Sequence, residues 1–193
     1  MIGVVGQGFV GNAVYQRWKK YYDVQTYDID ENKSTSTLHN LVMMCDTIFV
    51  CLPTPMRYGG ECDLSILDKF FEDLPDHITG TFVIKSTVPV GTTKKYYERH
   101  NVIHNPEFLT ESNAMEDFKN PPFQVFGGKW RDCEVVEKAF LRHSSVRIVP
   151  TFKVDLTTAS LLKYTINSWL ATKVMFFNEL KVLHELGSSM VSW

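Results

Sequence analysis

The sequence has no marked excess of charge of either sign: 20 lysines and arginines stand against 22 aspartates and glutamates, for a formal net charge of −2 and an isoelectric point near 6.3. That balance leaves no electrostatic footprint for nucleic acid or for an anionic membrane surface, so neither is expected as a partner. No apolar run approaches the roughly 20 residues that a spanning helix needs. The apolar start, MIGVVGQGFVGNAV, has no basic leader and is interrupted by glycines, so a signal peptide is not expected. Cysteine is scarce: Cys45, Cys51, Cys62 and Cys133 show neither C-x-x-C pairing nor histidine spacing suited to zinc. A metal site and a disulfide framework are therefore not expected, and reduced thiols in a cytoplasmic protein are. Repeats and low-complexity tracts are lacking too.

What is present reads as a folded chain. Its 193 residues are 44% apolar and 22% charged, which suits one well-buried domain with an appendage. Short apolar runs, IGVVG, VQTYD, TIFVCL, TFVIKS, NVIHN, FQVFGG and VRIVP, read as strands. They alternate with helical patterns over Gly11–Lys20, Ser65–Glu72, Thr92–Arg99 and Asp132–Leu141. That alternation predicts an α/β fold, a Rossmann-like doubly wound and mainly parallel sheet, ending near residue 150. From Asp155 to about Gly187 neither glycine nor proline interrupts the chain. One long helix is expected there, with Asp155 or Thr157 as cap and Gly187 as stop.

The run GQGFVG follows the first strand and opens a helix. In G-x-G-x-x-G spacing, Gly6 permits the tight turn, Gly8 lets a pyrophosphate approach the backbone, and Gly11 allows close helix–strand packing. Phe9 and Val10 complete the loop, whose helix N-terminus offers free N–H groups and a positive dipole end. Asp28 ends the second strand 17 residues after Gly11, where an acid can bind both ribose hydroxyls. A carboxylate there disfavours a 2′-phosphate, so NAD is expected rather than NADP. Lys33 lies over or beside the adenosine, or is a solvated surface lysine. The segment between the second and third strands is short for a complete helix plus strand, so the adenine side is expected to be abbreviated.

Asn105–Phe118, NPEFLTESNAMEDF, places Glu107 and Glu111 four residues apart beside Pro106. A carboxylate close to apolar neighbours such as Phe108 can acquire a raised pKa and serve as acid or base, or the pair can merely cap and solubilise a turn. Lys163 and Asn167, at i and i+4, project from one face of the long helix. A cation and an amide donor aimed at one point can stabilise a developing oxyanion.

In this order behind the glycine loop, CLPTP, KSTVPVGTT, NPEFLTESNAMEDFKNP and KYTINSWLATKVMFFNE closely resemble the UDP-glucose/GDP-mannose dehydrogenase family over nearly the whole chain. The resemblance implies oxidation of a nucleotide-sugar 6-alcohol to a carboxylate with two NAD+ in succession, through a cysteine-bound thioester. It places Pro53, Thr54 and Thr87 at the nicotinamide and water side, Thr87 among the catalytic group. Glu107 becomes the acid/base for thioester hydrolysis and Glu111 a cofactor contact. Phe108 and Leu109 present backbone groups to the sugar, and Lys163 and Asn167 bind and stabilise the reacting oxygen. Lys173, Asn178 and Glu179 also match, and serve equally well in packing or an interface.

The chain departs from the family pattern in lacking the G-F-G-G-x-C-x-x-K-D segment that carries the nucleophilic cysteine. Ser112 replaces a usual glycine, and Pro122-Phe123 an Asp-Arg pair. The expectation is a truncated cofactor-binding portion, inactive alone, that forms a homodimer through the long helix. Two alternatives remain: a 3-hydroxy-acid dehydrogenase, which also pairs a Rossmann domain with Lys-x-x-x-Asn, and a non-enzymatic NAD-binding assembly module.

Overall fold

The fold is that of a computed structural model, which describes residues 1–108, 121–142 and 149–190. The strands are β1 (Ile2–Val5), β2 (Val24–Tyr27), β3 (Thr47–Val50), β4 (Thr81–Ile84), β5 (Val102–His104), β6 (Gln124–Gly127) and β7 (Thr151–Val154). The helices are α1 (Phe9–Trp18), α2 (Leu38–Met44), α3 (Ser65–Glu72), α4 (Thr92–Tyr97), α5 (Trp130–Arg142) and α6 (Leu156–Met190), with a 3-10 turn at Glu31–Lys33. The described strands form one sheet in the order β2-β1-β3-β4-β5-β6-β7, parallel except where β6 runs against β5. Among the described residues, no helix is long and apolar enough to cross a membrane.

Alternation along the strands explains why both faces of the sheet are covered. Ile2, Val4, Phe49, Val83, Ile103 and Phe126 pack with Ala13, Val14 and Trp18 of α1 and Cys133, Val136 and Phe140 of α5. Val5, Ile48, Val50, Phe82, Ile84 and Val102 face the other way, against Leu41 and Val42 of α2, Leu67, Phe70 and Phe71 of α3 and Tyr96 of α4. Trp18 meets Phe140 edge-on at 4.7 Å between centroids, and Phe71 stacks on Tyr96 at 4.3 Å. Burial of each such side chain contributes roughly 1.5–3 kcal/mol.

The seventh described strand lies beyond the expected VRIVP run. Residues 146–148 of that run lie outside the described residues, and Val149-Pro150 leads into a strand at Thr151–Val154 instead. The sheet thus continues past the expected boundary at 150. Lys153 in mid-strand hides its apolar character, yet its ammonium is 2.5 Å from Glu137 with both side chains largely buried.

On the adenine side, a short helix does form before β3, but among the described residues no strand lies beyond β2 at the sheet edge. The edge is covered by the returning chain: Thr26 donates its N–H to Thr35 Oγ1 at 2.8 Å, and the N–H of Thr35 donates to Thr26 O at 3.0 Å. An edge blunted in this way needs no further strand.

Asp155, not Thr157, caps the long helix: its Oδ1 accepts the N–H groups of Thr157 and Thr158 at 2.9 and 3.0 Å. Gly187 does not stop α6, which continues to Met190. A glycine inside a helix costs only about 1 kcal/mol relative to alanine and is not by itself a terminator.

Candidate functional site

Because β1 to β5 are parallel, the loops after them share one edge of the sheet, where open α/β sheets place their ligands. Gly6 turns there with φ +87°, its N–H donating to Tyr27 O at 2.8 Å. A Cβ on Gly11 would lie 1.7 Å from Gly6 O, so only glycine lets α1 cross β1 this closely. Beside Gly8, by contrast, a Cβ would meet nothing within 4 Å. Gly8 is the N-cap residue of α1, with no side-chain cap and no acidic residue in the first turn. Phe9 and Val10 form that turn, Phe9 half exposed.

Asp28 follows β2, with Oδ2 accepting the N–H of Gln7 at 2.5 Å and Oδ1 the N–H of Asp30 at 3.0 Å. Partial burial pushes its pKa up, but these backbone donors and the Lys33 charge outweigh it and hold the carboxyl below its ordinary value. Asp28 therefore clamps the glycine loop. Lys33 sits in the 3-10 turn, its ammonium 3.7 Å from Asp30. Open space beside Gly8, an uncapped helix end and an ionised acid after β2 suit a dinucleotide, with Gly6 to Gly11 at its phosphates.

The loops after β3, β4 and β5 are tied together. Pro53 is exposed, while Thr54 Oγ1 donates to Thr87 O at 2.7 Å and Ser86 Oγ to Leu52 O at 2.6 Å. Glu107 comes just beyond β5, and its Oε2 lies 2.6 Å from the ammonium of Lys85, whose side chain is 2% exposed. Lys85 also donates to Asn105 Oδ1 at 2.8 Å, and Asn105, fully buried, donates from Nδ2 to Val125 O at 2.7 Å. Glu107 Oε1 accepts the N–H of Phe108 at 3.1 Å.

The long helix completes the group. Lys163 donates from Nζ to the main-chain carbonyl of Glu107 and lies 5.2 Å from the centre of the Phe108 ring. Burial is the main reason that its pKa is lowered; the Glu107 charge opposes this and Lys85 reinforces it. One turn on, Asn167 is exposed. Ser160, a turn before Lys163, has Oγ 3.0 Å from Nδ1 of the fully buried His104. Leu109 and Glu111 lie outside the described residues. Lys173 stays near Trp169, and Asn178 and Glu179 are exposed farther along the helix.

Sequence reasoning thus brought Thr54, Thr87, Glu107, Phe108 and Lys163 to one edge but passed over Lys85, His104, Asn105 and Ser160. The available signal was a lysine ending the apolar strand TFVIK, and a histidine and an asparagine ending VIHN. Polar residues in line with a buried strand require partners. The cysteines are poor nucleophiles here: burial pushes the thiols of Cys45 and Cys133 up to about 11 and that of Cys51 up to about 12. Cys62 Sγ lies 3.9 Å from the carbonyl oxygens of both Thr54 and Thr87, which can only accept from its S–H.

Comparison with known proteins agrees with this geometry. Residues 24–144 match the UDP-glucose/GDP-mannose dehydrogenase family, NAD binding domain. UDP-glucose 6-dehydrogenase of Rickettsia conorii is 35% identical over 182 residues, covering 89% of this chain and 41% of the relative. UDP-glucose 6-dehydrogenase TuaD of Bacillus subtilis is 32% identical over 171 residues, covering 82% and 36%. The chain therefore spans about two-fifths of the curated relatives' length. In fold it is similar to GDP-mannose dehydrogenase of Pseudomonas aeruginosa (TM-score 0.80, 23% identity, 92% of this chain and 51% of that one). A UDP-glucose dehydrogenase of Pyrobaculum islandicum is alike at TM-score 0.80 and 23% identity, covering 94% and 52%. The glycine loop, the acid after β2 and the matched family model together establish that this chain belongs to the UDP-glucose/GDP-mannose dehydrogenase family and carries its NAD binding domain.

Proposed function

We propose that the chain is the cofactor-binding portion, whose sheet runs through β7 to Val154, and the opening of the central helix from Leu156, of an NAD-dependent nucleotide-sugar 6-dehydrogenase. The observation that carries this reading is Glu107, held by Lys85 through its carboxylate and by Lys163 through its carbonyl, on the sheet edge shared with the glycine loop. NAD+, when bound, supplies the hydride acceptor. Gly6, Gly8, Phe9, Val10 and Gly11 hold its phosphates, Asp28 its ribose, with Lys33 beside the adenosine and Pro53, Thr54, Thr87 and Glu111 toward the nicotinamide.

The protein groups divide the remaining chemistry. Lys163 and Asn167 stabilise negative charge on the sugar oxygen as its proton leaves. Phe108 and Leu109 orient the sugar through the backbone. In the second half, Glu107 takes a proton from the water that attacks a thioester. The thiol of that thioester is not one of these four cysteines. Cys45 and Cys133 are buried and Cys51 is half-buried, all three hard to ionise, and Cys62 spends its S–H on main-chain carbonyls, so the chain by itself is expected to bind NAD+ without completing the oxidation.

Calorimetric titration tests the cofactor step. Saturable NAD+ binding is expected, with NADP+ weaker. Asp28→Ala should lower NAD+ affinity by about ten- to a hundredfold, because hydrogen bonds to a charged group contribute about 1.5–3 kcal/mol. Equal NAD+ affinity in wild type and variant would remove Asp28 from the site.

The long helix is proposed to pair two copies of the chain. Trp169, Leu170, Val174, Phe176, Phe177 and Leu180 are exposed along it, an apolar surface too large to leave in water. Sedimentation should report a dimer that dissociates when Phe176 and Phe177 are both replaced by serine. An unchanged solution mass would reject pairing through this face.

A further inference from the structure

Two lysines meet the same glutamate through different atoms. Lys85 Nζ lies 2.6 Å from the carboxylate oxygen Oε2, whereas Lys163 Nζ donates to the main-chain carbonyl. We propose that Lys85 is a positioning residue: by taking up the Glu107 carboxylate it keeps the Lys163 ammonium out of a carboxylate pair and leaves it for an incoming oxyanion. What that oxyanion is rests on the proposed function. The division of roles between the lysines does not depend on it.

The described surroundings of Lys85 hold it at this carboxylate. It directly follows β4, its N–H donating to Val50 O at 2.9 Å. Its ammonium has Asn105 Oδ1 as a further acceptor at 2.8 Å, and Asn105 is itself pinned by Val125 O at 2.7 Å and Gln124 Oε1 at 3.2 Å. Side-chain exposures of 2% for Lys85 and 15% for Glu107 make their attraction stronger than a surface pair's. Lys163 lies where the helix reaches the same loop. Among the described residues, the charged or titratable groups acting on it include Glu107, Lys85 and His104 on β5, and those acting on Lys85 include Glu107, Cys51 just after β3 and His104. If Lys85 were lost, Lys163, which already feels the Glu107 charge, would be left as a cation at that carboxylate. The ammonium would then be held in a pair and deprotonate less readily.

Only a neutral amine reacts with an acylating reagent, so Lys163 reports on its own partner. Trace acetic anhydride is applied across a pH series, and the modified peptide is counted by mass spectrometry. Lys85→Met is expected to move the Lys163 profile to higher pH by about one unit, making acylation about tenfold slower at a fixed pH below the midpoint. Lys85→Arg, which keeps the charge, should stay near wild type. The double variant Lys85→Met/Glu107→Gln should return toward wild type, because the carboxylate that would have captured Lys163 is gone. An unchanged Lys163 profile in folded Lys85→Met overturns the proposal.

Should the lone buried carboxylate prevent that variant from folding, Glu107→Gln is compared with the double variant. Lys85 then faces Lys163 with no carboxylate between them, and Lys163 must react faster in Glu107→Gln. Equal rates there would likewise overturn the assignment. NAD+ titration of the same samples separates the two hypotheses: absent binding in wild type defeats the dehydrogenase reading and leaves the acylation result standing.

Discussion

Gly11→Ala is expected to cost both the fold and the cofactor, and Gly8→Ala the cofactor alone. At position 11 the added Cβ would sit 1.7 Å from Gly6 O and 2.9 Å from Gly6 C, both backbone atoms that cannot rotate away. Relief requires α1 to lift from β1, disturbing Ala13, Val14 and Trp18 in the core. Overpacking of this kind costs about 3 kcal/mol. The helix N-terminus moves with it, so measurable NAD+ binding should vanish. At position 8 the backbone has φ −73° and ψ −157°, and the added methyl meets nothing within 4 Å. Melting should therefore be unchanged, while the methyl fills the space through which the pyrophosphate approaches. A penalty of about 1–3 kcal/mol corresponds to roughly a ten- to hundredfold loss of affinity. Thermal melts and NAD+ titrations of both variants check this. If Gly8→Ala bound NAD+ as tightly as wild type, the open space beside Gly8 would not be the phosphate site.

The contrast explains why this half of the site was legible in the sequence. Glycine positions are dictated by backbone geometry within a few residues, and the strand–turn–helix context supplies the rest. The apolar strands were legible for a similar reason, since Phe82, Val83 and Ile84 are buried on one face or the other. Thr151–Val154 was missed because Lys153 breaks the pattern, and its partner Glu137 lies on a helix that local periodicity cannot bring near. The same limit applied to Lys85, His104, Asn105 and Ser160. Each is a polar residue whose buried state makes sense only after β4, β5, β6 and α6 have met: Lys85 with Glu107, Asn105 with Val125, His104 with Ser160. Side-chain pairs 20 to 56 residues apart leave no local trace.

Stability should fall as the pH is lowered from 6.5 toward 4, and His104 should account for a large part of the loss. Ser160 Oγ lies 3.0 Å from Nδ1 of His104 and 3.2 Å from Leu156 O, so a neutral imidazole pairs with the hydroxyl in either tautomer. A second proton would place a charge in a fully buried position near two ammonium groups. Burial is the main reason that the pKa falls to about 4 from 6.5; the Ser86 backbone opposes it, and Lys85 and Lys163 add smaller depressions. Since the folded-state pKa is depressed, the unfolded chain binds the extra proton between pH 4 and 6.5. Stability is therefore complete above about pH 6.5, declines as pH falls through that window, and levels off for this group below about pH 4. The 2.5-unit difference corresponds to about 3 kcal/mol. Buried His100, whose pKa burial also lowers, acts in the same direction, so the contribution must be isolated by variant. His104→Asn, which cannot take up the proton, should be less stable than wild type at neutral pH but lose about 3 kcal/mol less on acidification. Urea midpoints at intervals from pH 7.5 to pH 4 measure the difference, and parallel curves for the two proteins would assign the acid sensitivity elsewhere. Because Ser160 lies one turn before Lys163, the same protonation should loosen the helix from the sheet edge where Glu107 is held, and so weaken the site before the fold as a whole gives way.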